Sequence, residues 1–97
     1  MHIISRKRLR EFWESDNQSQ TPLDEWYRRM KKLRPTNLAD LHSAFPHADL
    51  VGKCVVFNVG GNKYRLITKV DFLRQTVYIK YVLTHGEYDK DKWKVDC

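Results

Sequence analysis

The sequence predicts an α+β domain in which N-terminal helices pack on one face of an antiparallel sheet. Apolar residues recur at helical spacing through the first 45 residues, and alternate with polar residues from about residue 53 onward. A Gly60-Gly61 pair between two strand-like runs supplies a hairpin turn. With 97 residues, the chain is expected to form one domain, 1–97, because one core typically takes roughly 100–200 residues.

Three helices are predicted in the first half. Ser5 is expected to cap a helix over about residues 6–15, and Thr21 to cap a second helix after a polar loop over 15–20. Asn37 is expected to cap a short third helix. Their apolar residues are expected to form the core: Leu9, Phe12, Trp13, Leu23, Trp26, Tyr27, Met30, Leu33, Leu38, Leu41 and Phe45.

Three longer strands are predicted in the second half, over 54–59, 63–70 and 77–83, and residues 1–4 are expected to form a short strand. Short connections between consecutive strands favour an antiparallel meander. The chain is too short for a doubly wound dinucleotide-binding sheet or a barrel. A hydrophobic content of 41% is too high for a disordered chain.

The charge points to a polyanionic partner. Eighteen Lys and Arg residues against twelve Asp and Glu leave a net charge of +6, and the excess lies in residues 1–34 and 63–83. Such a surplus is typical of proteins that bind nucleic acid, and is also found in partners of acidic proteins or membrane surfaces. No run of about 18–20 apolar residues and no signal-peptide pattern occur, so we expect a cytoplasmic protein without a membrane segment.

The cysteines and histidines do not predict a metal site. Cys54 lies in an apolar strand pattern and Cys97 is expected to be exposed. A disulfide between them is conceivable, but we expect two free thiols because disulfides are rare in the cytoplasm. The four histidines show no zinc-ligand spacing with the cysteines, so neither a metal nor another cofactor is expected.

The strand over 63–70 is predicted to carry a basic face. Because side chains alternate, Tyr64 should point into the core, whereas Lys63, Arg65, Ile67 and Lys69 share the opposite face. Lys80 and Arg74 are expected to extend this cationic surface, which could hold a phosphate backbone. The alternative is an ordinary solvated face of an antiparallel sheet.

Two segments resemble the signature segments of HigB-type toxins, which are RelE-like ribonucleases of bacterial toxin–antitoxin modules. They read Val55-Val-Phe-Asn-Val-Gly-Gly-Asn-Lys-Tyr-Arg-Leu-Ile67 and Thr84-His-Gly-Glu-Tyr-Asp-Lys90. The resemblance extends to the Leu-Arg-Glu-Phe-Trp run at 9–13 and covers almost the whole chain. It departs from the family pattern at Leu83, where a glycine is expected.

The resemblance implies a RelE-like fold and a toxin that cuts mRNA, usually on a translating ribosome. It further implies neutralisation by a HigA-like helix-turn-helix antitoxin. Metal-free RNA cleavage needs a base, an acid and a cation beside the phosphate. Lys63, Arg65, His85 and Tyr88 are the candidate catalytic residues, and Lys63, Arg65, Lys69, Arg74 and Lys80 are the candidate RNA-binding residues.

Alternatives to these roles remain open. His85 could be an ordinary loop histidine, Tyr88 could only cover the sheet edge, and Asp89 is expected to cap a turn or pair with Lys92. A different class of function is a non-catalytic module that binds nucleic acid or the ribosome, or an inactive toxin that binds only its antitoxin; Leu83 favours it. A metal-dependent nuclease is less consistent with the scattered acidic residues.

Overall fold

The chain folds into five strands and four helices, and the computed structural model describes residues 1–97. The strands are β1 (His2–Ile4), β2 (Asp49–Val51), β3 (Cys54–Val59), β4 (Tyr64–Asp71) and β5 (Thr76–Thr84). The helices are α1 (Arg6–Ser15), α2 (Gln20–Lys32), α3 (Leu38–Ala44) and α4 (His85–Asp89), with 3-10 turns at Asn17–Ser19 and Lys92–Asp96. None of these helices combines the length and the apolar composition needed to cross a bilayer.

The strands form one sheet in the order β1-β5-β4-β3-β2. Strands β2 to β5 pair antiparallel, as the short connections predict, whereas β1 pairs parallel with β5. The turn between β3 and β4 uses Gly60 and Gly61 at φ +65° and +67°, a conformation that glycine adopts without strain. The predicted α+β architecture is confirmed, but β2 was missed because three residues are too few to show alternation.

The main core lies between one face of the sheet and helices α1 to α3. Phe57, at the centre of β3, packs edge-on against the rings of Trp26 and Phe45 at centroid distances of 5.3 and 5.2 Å. Leu23 and Leu66 are fully buried in the same cluster. The helical stripe predicted from apolar spacing therefore does cover the sheet, and burial of these side chains supplies most of the driving force for folding.

The opposite face of the sheet carries a second, smaller core. Cys54, Val56, Ile67 and Trp93 are buried there, and the C-terminal residues after α4 cover them. This face was expected to be a cationic surface or, as the alternative, an ordinary solvated face, but it is covered at this part of β4. Alternation assigned Ile67 to the correct face, but it does not reveal which chain segment covers that face.

The cysteines form a disulfide, so the expectation of two free thiols is wrong. Cys54 in β3 is bonded to Cys97. The C-terminal turn returns across the end of β3, where the Lys53 N–H donates to the carbonyl of Cys97 at 2.7 Å. This return brings together two cysteines that lie 43 residues apart in sequence.

The start of α3 agrees with the prediction from the sequence, whereas the start of α2 differs from it. Asn37 caps α3, its side chain accepting the Asp40 N–H at 2.9 Å, as predicted. The predicted cap at Thr21 is wrong, since α2 begins at Gln20. Ser19 precedes it and is buried, with its hydroxyl donating to the Asp16 carbonyl at 2.7 Å. The 3-10 turn thus runs directly into α2 and replaces the expected loop.

Tyr64 links the first residue of β4 to the end of α1, and this link predicts a loss of stability in alkali. Its ring is buried and its hydroxyl donates to Asp16 at 2.8 Å. Burial and this hydrogen bond raise the pKa of Tyr64 above its ordinary value. The unfolded chain therefore loses this proton first, and the link should weaken progressively as the pH rises above about 10.

We expect Tyr64→Phe to lower the free energy of unfolding by about 1–2 kcal/mol at pH 7 and by less above pH 10. Urea unfolding at pH 7, 9 and 10.5 measures the difference. Tyr78→Phe is the matched control because Tyr78 is exposed. An equal deficit of Tyr64→Phe at all three pH values would contradict the prediction.

Candidate active site

The candidate catalytic residues meet at one end of the sheet. Tyr64, the first residue of β4, pairs with Thr84, the last residue of β5. The His85 N–H donates to the carbonyl of Lys63 at 2.9 Å, which fixes the start of α4 beside the start of β4. Backbone pairing thus holds Lys63, Arg65 and His85 near this corner, and α4 carries Tyr88 beside Arg65.

Helix α4 starts at a reciprocal capping arrangement. The Thr84 hydroxyl accepts the Glu87 N–H at 3.3 Å, and the Glu87 carboxylate accepts the Thr84 N–H at 3.0 Å. This arrangement satisfies two backbone donors that the first turn leaves without partners. A helix of only five residues is marginal by itself, so the cap defines where His85 lies.

His85 and Asp89 form a pair on the exposed side of α4. Nδ1 of His85 lies 3.0 Å from Oδ2 of Asp89, one helical turn later, and about half of each side chain is exposed. The expectation that Asp89 pairs with Lys92 is wrong. A carboxylate at Nδ1 favours the tautomer that carries its proton there, which leaves Nε2 as the nitrogen available for proton transfer.

Arg65 is a nearly buried cation without a carboxylate partner. The residue is only 8% exposed, and no acidic group forms an ion pair with it. Nη1 donates to the carbonyls of Asn62 and Tyr64 at 3.0 and 3.1 Å. The guanidinium carbon lies 5.3 Å from the centre of the Tyr88 ring. A positive charge held in this way attracts an anion such as a phosphate.

Tyr88 lies between the site and the C-terminal segment. Its ring is partly buried and stacks on Trp93 with a centroid distance of 4.9 Å and an interplanar angle of 15°. We assigned no role to Trp93 from the sequence. The sequence does contain a signal for it, since Trp93 is a large aromatic residue among charged residues that follow Tyr88.

The other predicted cations lie at different distances from this corner. Lys63 is exposed, with Nζ 3.5 Å from the Gln18 side chain. Lys69 lies four residues along β4 from Arg65, about 13 Å away at the usual rise of a strand. Arg74 lies in the turn at the far end of the β4–β5 hairpin, beside Asp71 at 3.9 Å. Lys63 is thus the only one of these three whose backbone lies at the corner.

Lys80 occupies an irregular position in β5. The pairing of β4 with β5 shifts at Ile67 and Thr68, so Lys80 is an extra residue opposite them. Its backbone carbonyl accepts a hydrogen bond from Nη1 of Arg8 in α1 at 3.0 Å. Lys80 therefore borders a groove along α1 rather than the corner that contains His85.

No group of three or more His, Cys, Asp or Glu side chains is arranged to hold a metal ion. Among the other histidines, His42 contacts the carbonyl of Ala48 through Nε2 at 2.7 Å, a structural contact within the α3 region. The polar groups at the corner are therefore one imidazole–carboxylate pair, two cations and a phenol, which are groups suited to proton transfer and anion binding.

Comparison with known proteins identifies the family. A model of HigB_toxin, described as the RelE-like toxic component of a toxin–antitoxin system, matches residues 19–91. The chain belongs to the HigB toxin family. This result confirms the resemblance found in the sequence, and the observed α+β sheet is consistent with the RelE-like fold.

Named relatives of this HigB-family chain span nearly its whole length. The mRNA interferase toxin HigB of Escherichia coli K12 is 37% identical over 92 residues, which cover 92% of this chain and 88% of the relative. The mRNA interferase HigB of Shigella flexneri gives the same values. The mRNA interferase HigB of Escherichia coli O6:H1 is 31% identical over 93 residues, covering 93% and 90%.

Proposed function

We propose that this HigB-family toxin cleaves mRNA at the corner formed by β4, β5 and α4. The observation that carries the proposal is Arg65, a nearly buried guanidinium that has no carboxylate partner and lies beside Tyr88. The names of its relatives, which are mRNA interferases, support the same activity. A phosphate of the RNA backbone would supply the anion that Arg65 lacks.

The reaction we propose needs no group beyond these side chains. The 2′-hydroxyl attacks the adjacent phosphorus and gives up its proton, and the P–O5′ bond breaks as the 5′-oxygen gains one. The products are a 2′,3′-cyclic phosphate and a 5′-hydroxyl. Arg65 and Lys63 stabilise the charge that develops on the phosphorane, where pre-organised donors have their largest effect.

His85 and Tyr88 are our candidates for the two proton transfers. Because Nδ1 of His85 contacts Asp89, we expect Nε2 to be the nitrogen that exchanges a proton with the RNA. The Tyr88 ring is engaged by Trp93 and Arg65, so its hydroxyl, rather than the face of its ring, is the group we expect to meet the RNA. Either group can act as acid or base, depending on its protonation state when substrate binds.

We further propose that the ribosome presents the message and that a HigA-like helix-turn-helix antitoxin neutralises the toxin. The site lies at an open corner where Lys63 and His85 are exposed, so it has few groups to orient a flexible single strand by itself. Lys69 in β4, Arg74 in the turn after it and Lys80 in β5 are spaced along one hairpin, where we expect them to contact the more distant backbone of the message. The exposed cations of α1 and α2 are candidates for contact with an acidic antitoxin. Translated message lies in the cytoplasm, the compartment we expect for this protein.

The test is expression of the wild-type chain and of His85→Ala under tight control. We expect the wild type to arrest translation and to leave messages cut at defined positions, mapped by sequencing of 5′ ends. His85→Ala should slow cleavage about 10²–10⁴-fold, the usual contribution of a general acid or base.

His47→Ala is the matched control, since His47 is exposed and distant in sequence from the corner. A wild-type chain that binds ribosomes or message without cutting would overturn the proposal in favour of a non-catalytic binding module. Full activity of His85→Ala would leave the activity in place but contradict the assignment of His85. Omitting ribosomes from a purified reaction tests whether they are needed.

A further inference from the structure

Trp93 of the C-terminal 3-10 turn contacts Tyr88 of the candidate site. It lies in the 3-10 turn Lys92–Asp96 and is only 3% exposed. Its indole ring stacks on Tyr88, and its Nε1–H donates to the Tyr88 carbonyl at 3.0 Å. Trp93 thus contacts both the side chain and the backbone of the same residue.

The position of Trp93 is fixed by its packing against the sheet. It packs in the small cluster with Cys54, Val56 and Ile67 on the face of β3 and β4. The chain beyond it is tied to β3 by the Cys54–Cys97 disulfide and by the hydrogen bond from Lys53 N–H to the Cys97 carbonyl. The tryptophan is therefore a rigid support, whereas the five-residue α4 that carries Tyr88 has no buried residue of its own.

Arg65 depends on the position of Tyr88. Its guanidinium is held on one side by the carbonyls of Asn62 and Tyr64, and it also lies over the Tyr88 ring. A tyrosine that moved away would remove this contact and would admit water around the guanidinium. A residue that holds the Tyr88 ring in place therefore also affects the direction in which the free N–H groups of Arg65 point.

We propose that Trp93 is a positioning residue, which holds the Tyr88 ring and, through it, the Arg65 guanidinium in the geometry used for RNA cleavage. The proposal rests on the proposed function of this corner, because it names a residue that supports the same reaction. Trp93 itself does not touch the RNA. Its replacement should lower the rate of the chemical step far more than the affinity for substrate, because misplacement of reacting groups mainly affects the transition state.

The experiment compares Trp93→Phe with Trp93→Leu. Phenylalanine keeps an aromatic ring for stacking on Tyr88, whereas leucine keeps apolar volume in the cluster but cannot stack. We measure single-turnover cleavage of message on programmed ribosomes against toxin concentration, which yields a saturating rate and a half-saturating concentration. Trp93→Leu should lose about 10–100-fold in the saturating rate with less than a threefold change in half-saturation, and Trp93→Phe should recover at least a third of the wild-type rate.

Ile67→Val controls for general loosening of the cluster. Ile67 is fully buried with Trp93 but lies on β4 at the cluster rather than on α4. We expect it to lower the thermal midpoint and leave the saturating rate unchanged. If Ile67→Val lowers the rate as much as Trp93→Leu, or if Trp93→Phe is no better than Trp93→Leu, Trp93 is merely structural and the proposal fails. Trp93→Met carries the same comparison if the leucine variant does not fold.

A spectroscopic measurement separates failure of this proposal from failure of the proposed function. The Arg65 side-chain resonances should be displaced by the ring current of Tyr88 in the wild type and should return toward ordinary values in Trp93→Leu. Unchanged Arg65 resonances would overturn the positioning role, whether or not the wild-type chain cuts RNA. A wild type that cuts no RNA, with displaced resonances that respond to the substitution, would overturn only the proposed function.

Discussion

Replacing Arg65 with alanine is expected to lower the saturating rate of mRNA cleavage about 10²–10³-fold, the usual effect of removing one donor that stabilises transition-state charge. The reason is its position: the guanidinium is nearly excluded from water, lacks a carboxylate partner and lies over Tyr88. Its charge is therefore little screened and is available to a phosphate. Single-turnover cleavage on programmed ribosomes, at saturating toxin, measures the effect.

Stability should hardly change in the same variant. A buried cation without an anion costs desolvation energy, so its removal offsets the loss of two hydrogen bonds to backbone carbonyls. We expect the free energy of unfolding of Arg65→Ala to lie within about 1 kcal/mol of the wild type. Loss of activity from a folded protein would then come from the site itself.

Arg65→Lys and Arg10→Ala complete the comparison. Lysine keeps the charge but lacks the planar fork that both pairs with phosphate and stacks on an aromatic ring, so it should recover only part of the lost rate. Arg10 is an exposed arginine of α1 that serves as the matched control. Cleavage by Arg65→Ala at the wild-type rate, or full recovery by lysine, would contradict the role assigned to the guanidinium.

The sequence was sufficient to predict which side of each strand faces the core, but not what covers the other side. Tyr64 points inward and is buried, as its alternation with Arg65 predicts. Arg65 was expected on an open surface, yet it is buried by contacts with Tyr88. Alternation is a local property of one strand, whereas the covering segment begins about twenty residues later in the chain.

The site was predicted in part for the same reason. The segment from Thr84 to Lys90 led to His85 and Tyr88 as candidates, and the structure holds both of them in the short helix α4. The pairing of His85 with Asp89 follows directly from their spacing of four residues, whereas Asp89 was expected to cap a turn or to pair with Lys92. Trp93 could not be placed without knowing that the chain turns back beneath α4.

The disulfide was not predicted because the expected cytoplasmic compartment argued against it. Its absence was inferred from the general rarity of disulfides in the cytoplasm. The pairing depends on the C-terminal turn, which lies over β3 and brings Cys97 beside Cys54. A single-sequence argument has no means of recognising that contact between residues 43 positions apart.

Removal of the disulfide is expected to lower the free energy of unfolding by about 4 kcal/mol. The chain-entropy model gives this value for a loop of 43 residues, because an open chain has more unfolded conformations. For a domain of this size the loss corresponds to a fall of roughly 15–30 °C in the thermal midpoint. It is a large part of the roughly 5–15 kcal/mol by which small domains are stable.

Urea unfolding measures this loss. It compares the oxidised chain, the chain reduced with excess thiol, and a Cys54→Val/Cys97→Ser double variant. Thiol titration in denaturant should find none in the oxidised chain and two after reduction. The reduced chain and the double variant should agree closely, since both lack the cross-link. Equal midpoints for the oxidised and reduced chains would contradict the prediction, as would two titratable thiols before reduction.

Removal of the disulfide should destabilise the C-terminal turn first, so that this turn opens before the whole domain unfolds. Without the cross-link, residues 92–97 are held over β3 only by the packing of Trp93 and by hydrogen bonds such as that from Lys53 to Cys97. Hydrogen exchange at Lys53 and Cys97 should therefore accelerate on reduction by a larger factor than exchange in β4. Because Trp93 supports Tyr88, this local opening should lower the cleavage rate at temperatures where the core is still folded. A rate that falls only together with global unfolding would separate the disulfide from the site.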